Sequence, residues 1–405
     1  MLSYDQNKQF DEILEELSNN LDITKSQYEA AVKSYQHVGK WLSRPESPLA
    51  AYDPEILPQG SFLLGTMIRP LEGDELDVDL VCRLTGKRLA WTQYDVKKIV
   101  GDCLKENETY KRMLDKEGRR CWTLLYREDA SFHMDILPSI VSQGYRLLLE
   151  KSFSATDLQN VQALAIRITD KELPNYFTAT DLAEWLRSNP FGYAAWFKER
   201  SNISQTRLLS LNEAIQPLPP NTAQKLPLQI IVQLLKRHRD IMFNGKDDKP
   251  ISIIITTLAA KAYNRQTSII DGLLHVVNNI DKYIEERRDA NGKVIKWISN
   301  PVNPEENFAD KWPANPQKQK NFYDWLSKLK ADISGLMTKR GYDIQFSMSE
   351  VFGQREVNKT FSNIGDAKLK FRESGAMKMA AGSGLLGNVG RATVAQHSNF
   401  GGVEK

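Results

Sequence analysis

The chain has 405 residues, 41% hydrophobic and 26% charged, and its 54 basic and 51 acidic side chains give a formal charge of +3. That length allows two or three cores, or one two-lobed body. The near-neutral balance argues against a footprint for long nucleic acid, and three cysteines with no CxxC pair argue against a disulfide framework or a zinc ribbon. No apolar run reaches bilayer length, and the start MLSYDQNKQFDEIL lacks the apolar core of a signal peptide, so the expectation is a cytoplasmic protein with no membrane partner.

Two helices are expected first, over residues 5–19 and 24–44. In the second, Tyr28, Val32, Tyr35, Val38 and Leu42 recur at three- and four-residue steps, and Asp22 or Thr24 can cap its start. The proline-containing stretch RPESPLAAYDPE ends this hairpin. From about 55 to 145 the signals mix. EILPQGS and LDVDLVCRL read as strands, and DVKKIVGDCLKENETYKRMLD reads as an amphipathic helix. CWTLLYR and SFHMDILPSIV read as two more strands, joined by a turn at Glu128-Asp129-Ala130. Together they make a small α+β unit. From about 178 to 345 helical periodicity dominates, in TDLAEWLRSN, PLQIIVQLLKRHRDIMF, ISIIITTLAAKAY, IIDGLLHVVNNIDKYIEE and QKNFYDWLSKLKADISGLM. NPVNPEENFADKWP, between the last two, reads as a loop. After about 355 the chain thins into AGSGLLGNVGRATVAQHSNFGG, too poor in large apolar residues to offset its ordering entropy. The basic clusters Arg119-Arg120 and Lys236-Arg237-His238-Arg239 fit a solvated face as readily as an anion contact.

The chemistry concentrates in QGSFLLGTMIRPLEGDELDVDL. On a strand, residues two apart share a face, so Asp77 and Asp79 project together while Leu76, Val78 and Leu80 turn to the core. Paired like charges are unfavourable unless a cation sits between them, and oxygen ligands of this kind suit Mg²⁺, with Mn²⁺ as the alternative. Asp135, in the apolar run Phe132-His133-Met134-Asp135-Ile136-Leu137, completes a triad if its strand lies beside the first. Three carboxylates can hold two Mg²⁺ at the spacing used for in-line displacement at phosphorus, with Asp135 as the candidate general base. Upstream, Gly60-Ser61 ends a strand before a short helix. Its free N–H groups and the Ser61 hydroxyl can bind phosphate, and Gly60 allows close backbone approach. Each feature alone is weak; the ordered set points to nucleotidyl transfer.

The pattern GS-x3-GT-x-IRP…LDVDL…HMDIL resembles the nucleotidyltransferase superfamily of DNA polymerase beta. Within it, the chain is most similar to the oligoadenylate synthase and cyclic GMP-AMP synthase branch, in particular the bacterial cGAS/DncV-like enzymes of anti-phage (CBASS) operons. SQYEAAVKSY resembles their long spine helix, and NPVNPEENFADKW resembles a segment near their C-terminal end. The resemblance implies an α+β, bilobal, polymerase beta-like fold: a helical spine over 1–48, a nucleotidyltransferase core with a mixed sheet over 49–175, a helical lobe of oligoadenylate synthase type over 176–350, and a flexible tail over 351–405. It implies two nucleoside triphosphates, ATP among them, joined into a cyclic di- or trinucleotide that switches on an effector. It also implies that Lys236 and Ser252 meet phosphate, Lys236 lying on a polar stripe with Gln229, Gln233 and Asp240. His133 is expected to support rather than ligate, Thr66 to fix a turn, and Arg69 to touch phosphate or shape that turn. Tyr193, Trp196 and Tyr263 could stack a base or serve the core. An operon-encoded regulator or conjugating enzyme could act on the tail, which carries Gly401-Gly402 near its end. The alternatives are an RNA- or tRNA-end polymerase, a toxin that labels protein or tRNA, and an inactive scaffold, whose hallmark would be loss of an aspartate.

Overall fold

The computed structural model describes residues 2–71, 74–127, 131–154, 161–201, 225–289 and 291–375, with three two-residue strands at 378–379, 386–387 and 392–393. The turn expected at 128–130 and the glycines at 401–402 lie outside the described residues. Two capping boxes, Ser3 with Gln6 and Thr24 with Gln27, start helices α1 (Tyr4–Leu21) and α2 (Lys25–Leu42). Thr24 is thus the cap of the second helix. The pair serves both lobes. Phe10, Ile13, Leu14, Leu17 and Leu21 of α1 join the helical core, while Ala31, Tyr35, Val38 and Leu42 of α2 join the sheet core.

The sheet lobe runs β1 (Glu55–Pro58), α3 (Gly60–Leu64), β2 (Leu76–Thr85), α4 (Gln93–Lys105), α5 (Glu108–Met113), β3 (Trp122–Tyr126), β4 (Phe132–Val141), α6 (Tyr145–Ser154), β5 (Ile166–Ile168) and β6 (Leu186–Ser188). Its order is β1-β2-β4-β5-β6, with β3 also on β4. The central pair β2–β4 is parallel, in register from Leu76↔Phe132 to Thr85↔Val141, and the other pairings are antiparallel. The single helix expected before β3 is two. Asn107 breaks it by accepting from the N–H groups of Thr109 and Tyr110, which caps α5.

The helical lobe follows with α7 (Pro190–Ser201), α8 (Pro227–Phe243), α9 (Ser252–Ala262), α10 (Ile269–Asn279), the hairpins β7 (Glu285–Arg288)–β8 (Val294–Trp297) and β9 (Ser299–Asn300)–β10 (Asn303–Asn307), then α11 (Pro316–Leu336), α12 (Tyr342–Phe352) and α13 (Gln354–Glu373). Four expectations need correction. TDLAEWLRSN is not a helix: Asp181 caps one 3₁₀ turn, and the chain then enters β6 opposite β5. The helix starts later, at Pro190, where Asn189 accepts from the Gly192 N–H. The helix expected through IDKYIEE stops at Asn279, and Glu285–Arg288 pair as a strand. The expected loop around 300–307 holds a short hairpin. Finally, the tail expected from 351 opens with an ordered helix, α13. Its Val357, Thr360 and Ile364 are buried; Thr360 accepts from Asn20 at 3.0 Å, and Asn363 donates to Glu16 at 2.6 Å. Its stripe is narrow, but α1 supplies the surface that covers it. No described helix is long and apolar enough to cross a membrane.

Candidate active site

The strand β2 carries out the division its sequence implies. Leu76, Val78 and Leu80 are buried, while Asp77 and Asp79 point away from them. In the parallel register Asp79 is the partner of Asp135, and Asp77 is the partner of His133. Equivalent positions on paired strands face the same way, so all three aspartates share one side of the sheet. On β3, Thr123 is opposite Asp135, and its hydroxyl donates to the Asp135 carboxylate at 2.5 Å. Sequence reading missed Thr123. Its signal was its place between buried Trp122 and Leu124 on the polar face of a strand.

Gly60 closes this face. It starts α3 with φ +58°, and a Cβ there would lie 2.5 Å from Asp79 Oδ2, so only glycine fits. The Gln59 N–H donates to the Asp79 carbonyl at 2.9 Å, locking the Gly-Ser turn to the acidic strand. Burial, with Asp135 and Asp77 close by, pushes the Asp79 carboxyl up to about 6, and Lys236 partly opposes the rise. His133 pairs with Glu75 and stands 3.8 Å from Asp77. Among the described residues, no three acidic, histidine or cysteine side chains close round a common point. The triad is gathered on one face, with Asp135 held by Thr123.

Across the cleft, α8 is buried almost all round, including Gln233, Lys236, Arg237 and His238. Its polar stripe is therefore not a solvated face. It reads the backbone of the loop between α3 and β2. Gln229 donates to the Leu64 carbonyl at 2.9 Å, Lys236 to that of Thr66 at 3.0 Å, Gln233 to that of Met67 at 2.7 Å, and Arg237 to that of Arg69 at 2.6 Å. Burial, together with Arg239, lowers Lys236 to about 7, while Asp240 and Asp79 oppose the fall. Arg69 shapes this turn, donating its backbone N–H to Leu21 and its guanidinium to the Asp22 carbonyl. Ser252, at the start of α9, accepts from Arg239 at 2.9 Å. The cluster Arg119-Arg120 grips the buried Asp170 carboxylate at 2.8 Å from each Nε. Tyr193 and Tyr263 are buried core residues; the Tyr193 hydroxyl is 2.9 Å from that of Thr257.

A cavity of about 420 Å³ lies between the lobes. Ser61, Asp77 and His133 line it from the sheet side, and Lys236, Arg239, Lys249 and Ser252 line it from the helical side. Its volume is that of a small-ligand site. It therefore brings Ser61, Asp77, Lys236 and Ser252 to one space, with Asp79, Asp135 and Gly60 beside Asp77 on the strand face. Arg239 belongs to the basic cluster noted in the sequence, but Lys246 and Lys249 were not singled out there. Nothing in their spacing marks the turn after α8 as part of the cleft.

A mixed sheet bearing a Gly-Ser turn and register-paired aspartates, opposed by a helical lobe, defines a nucleotidyltransferase of the polymerase beta-like fold. Residues 54–138 match the nucleotidyltransferase domain model of cyclic GMP-AMP synthase DncV-like proteins. A c-di-GMP synthase of Roseivirga ehrenbergii is 30% identical over 351 residues, spanning 85% of this chain and 84% of that one. The cyclic dinucleotide synthase CdnG of Bradyrhizobium diazoefficiens is 24% identical over 375 residues, 86% of this chain and 82% of the relative. The structure of the Bradyrhizobium CD-NTase CdnG in complex with GTP superposes with a TM-score of 0.63 at 21% identity, covering 88% of this chain and 99% of that one. The chain belongs to the cGAS/DncV-like nucleotidyltransferase (CD-NTase) family, and it is an enzyme of that class.

Proposed function

We propose that this enzyme joins nucleoside triphosphates into a cyclic dinucleotide, with Asp77, Asp79 and Asp135 as the catalytic carboxylates. The observation that carries the reading is the register pair Asp79↔Asp135, with Asp77 on the same face and Gly60 packed against Asp79. The donor set fits a hard divalent cation. It is all oxygen, and it includes a buried carboxyl whose charge is unfavourable without a positive neighbour. Asp77, Asp79 and Asp135 would hold two Mg²⁺, or Mn²⁺. When bound, such ions neutralise charge on the reacting phosphate and on the leaving pyrophosphate.

The chain's own groups then divide the work. Ser61 and the N–H groups of the Gly60 turn take the non-transferred phosphates. Lys236 and Ser252 approach the same phosphates from the helical lobe. Asp135, oriented by Thr123, accepts the proton of the attacking ribose hydroxyl. The new bond joins that oxygen to the α-phosphorus, the bond to the β-phosphate oxygen breaks, and pyrophosphate departs. A second round closes the ring.

The names of the relatives favour a guanine nucleotide as substrate in place of the ATP expected from resemblance. The product would act as a second messenger in anti-phage defence, and a regulator would engage the chain after residue 375. Incubation with all four triphosphates, followed by mass spectrometry, tests the chemistry. A phosphatase-resistant cyclic dinucleotide containing guanine is expected. Label transferred to RNA or protein would favour the polymerase or toxin reading instead. Asp77→Ala with Asp79→Ala should abolish product while the fold persists.

A further inference from the structure

The charge lining the cleft is divided between its walls. Asp74, Glu75 and Asp77 stand on the sheet side, and the cations Lys236, Arg239, Lys246 and Lys249 outnumber Asp240 and Asp247 on the helical side. Two of these cations are held in place by protein groups. Lys236 donates to the Thr66 carbonyl at 3.0 Å and to its hydroxyl at 3.3 Å. Arg239 donates to Asp240 Oδ1 from two nitrogens at 2.8 and 2.7 Å, to the Pro250 carbonyl at 3.0 Å and to the Ser252 hydroxyl at 2.9 Å. Asp240 is thereby neutralised. Lys249 stands off from it at 3.6 Å, longer than a hydrogen bond, with its side chain 32% exposed.

Lys249 sits on the turn between α8 and α9, which bends at Asn244 (φ 42°) and Gly245 (φ 80°). It is three residues before Ser252. It lines the same cavity as Asp77 and Ser61, from the opposite wall. A nucleoside triphosphate bound beside three carboxylates brings more negative charge than two divalent ions cancel. The balance must come from protein cations able to move at little cost, and a weakly paired lysine on a turn is such a group.

Resting on the nucleotidyltransferase reading above, we propose that Lys249 leaves Asp240 to bind the non-transferred phosphates of the incoming nucleoside triphosphate. There it also meets the charge that grows on pyrophosphate as the bond to the α-phosphorus breaks.

Calorimetric titration tests this, with a non-hydrolysable α,β-methylene nucleoside triphosphate and the matching monophosphate, both with Mg²⁺. Lys249→Gln should weaken triphosphate binding about 10- to 100-fold, the range for a charge-assisted contact. It should leave the monophosphate affinity and the melting temperature unchanged, and Lys249→Arg should bind the triphosphate nearly as wild type does. Equal triphosphate affinity in wild type and Lys249→Gln would overturn the assignment while leaving the function standing. Equal loss of both ligands would also overturn it, by revealing a structural role. A wild-type protein that binds no triphosphate would remove the function and this inference together.

Discussion

Asp79→Asn measures what the protein gives up in stability to gather its carboxylates. The Asp79 carboxyl moves from 3.8 to about 6 in the folded chain. At 1.36 kcal/mol per pH unit, that is about 3 kcal/mol, and water entering the cleft leaves about 1–2 kcal/mol as the realistic figure. A carboxyl whose pKa rises on folding contributes stability that is full below the unfolded value of 3.8 and is lost as the pH climbs through about 6. Above pH 6 the ionised group therefore strains the ligand-free protein. Asparagine keeps the shape and removes the charge. Urea unfolding followed by the fluorescence of the 8 tryptophans, in chelator, should show the variant more stable than wild type at pH 8 by that amount. The two curves should converge near pH 4, and product formation should vanish at every pH. A variant less stable than wild type at pH 8, or a difference independent of pH, would refute the reasoning.

Gly60→Ala places a Cβ 2.5 Å from Asp79 Oδ2 at φ +58°, so it should lower stability by about 1–3 kcal/mol and cut turnover sharply; unchanged turnover would count against the turn's role. Gln233→Leu strips the Met67 carbonyl and the Asp22 carboxylate of a buried donor and the Ser18 hydroxyl of its acceptor, which should lower stability by about 2–4 kcal/mol in denaturant titration. His238 is pushed below its usual pKa by burial, with Asp332 opposing, and it accepts from Trp325 Nε1 at 3.1 Å. Its lowered pKa makes stability full above the unfolded value of 6.5 and lost as the pH falls below it. His238→Gln should flatten that part of the melting-temperature profile.

Strong periodicity and ordered spacing made much of this legible in the sequence. LDVDL could bury Leu76, Val78 and Leu80 only by projecting Asp77 and Asp79, and the strand around Asp135 gave the same reading. The parallel register that sets Asp79 opposite Asp135 was assumed there, and it became visible only with the sheet. The failures are tertiary. The polar stripe of α8 was expected to meet phosphate or water. It meets backbone carbonyls of the loop 64–69, and local sequence carries no trace of that partner. TDLAEWLRSN had helical spacing, but the Asp181 cap and pairing with β5 outweighed it. α13 fell within the tail expected from 351, and what orders it is the face that α1 offers. Lys249 lay in a turn whose approach to Asp77 depends on how the two lobes meet.

The central claim is that Asp77, Asp79 and Asp135 form one divalent-cation site on adjacent strands. Crystals soaked in Mn²⁺ with a non-hydrolysable triphosphate test it through anomalous scattering. The account predicts a peak within about 2.0–2.4 Å of carboxylate oxygens from Asp77 and Asp79, and Asp135 oxygen at the same cluster. A metal bound elsewhere in the cleft, with these three side chains unligated, would contradict it.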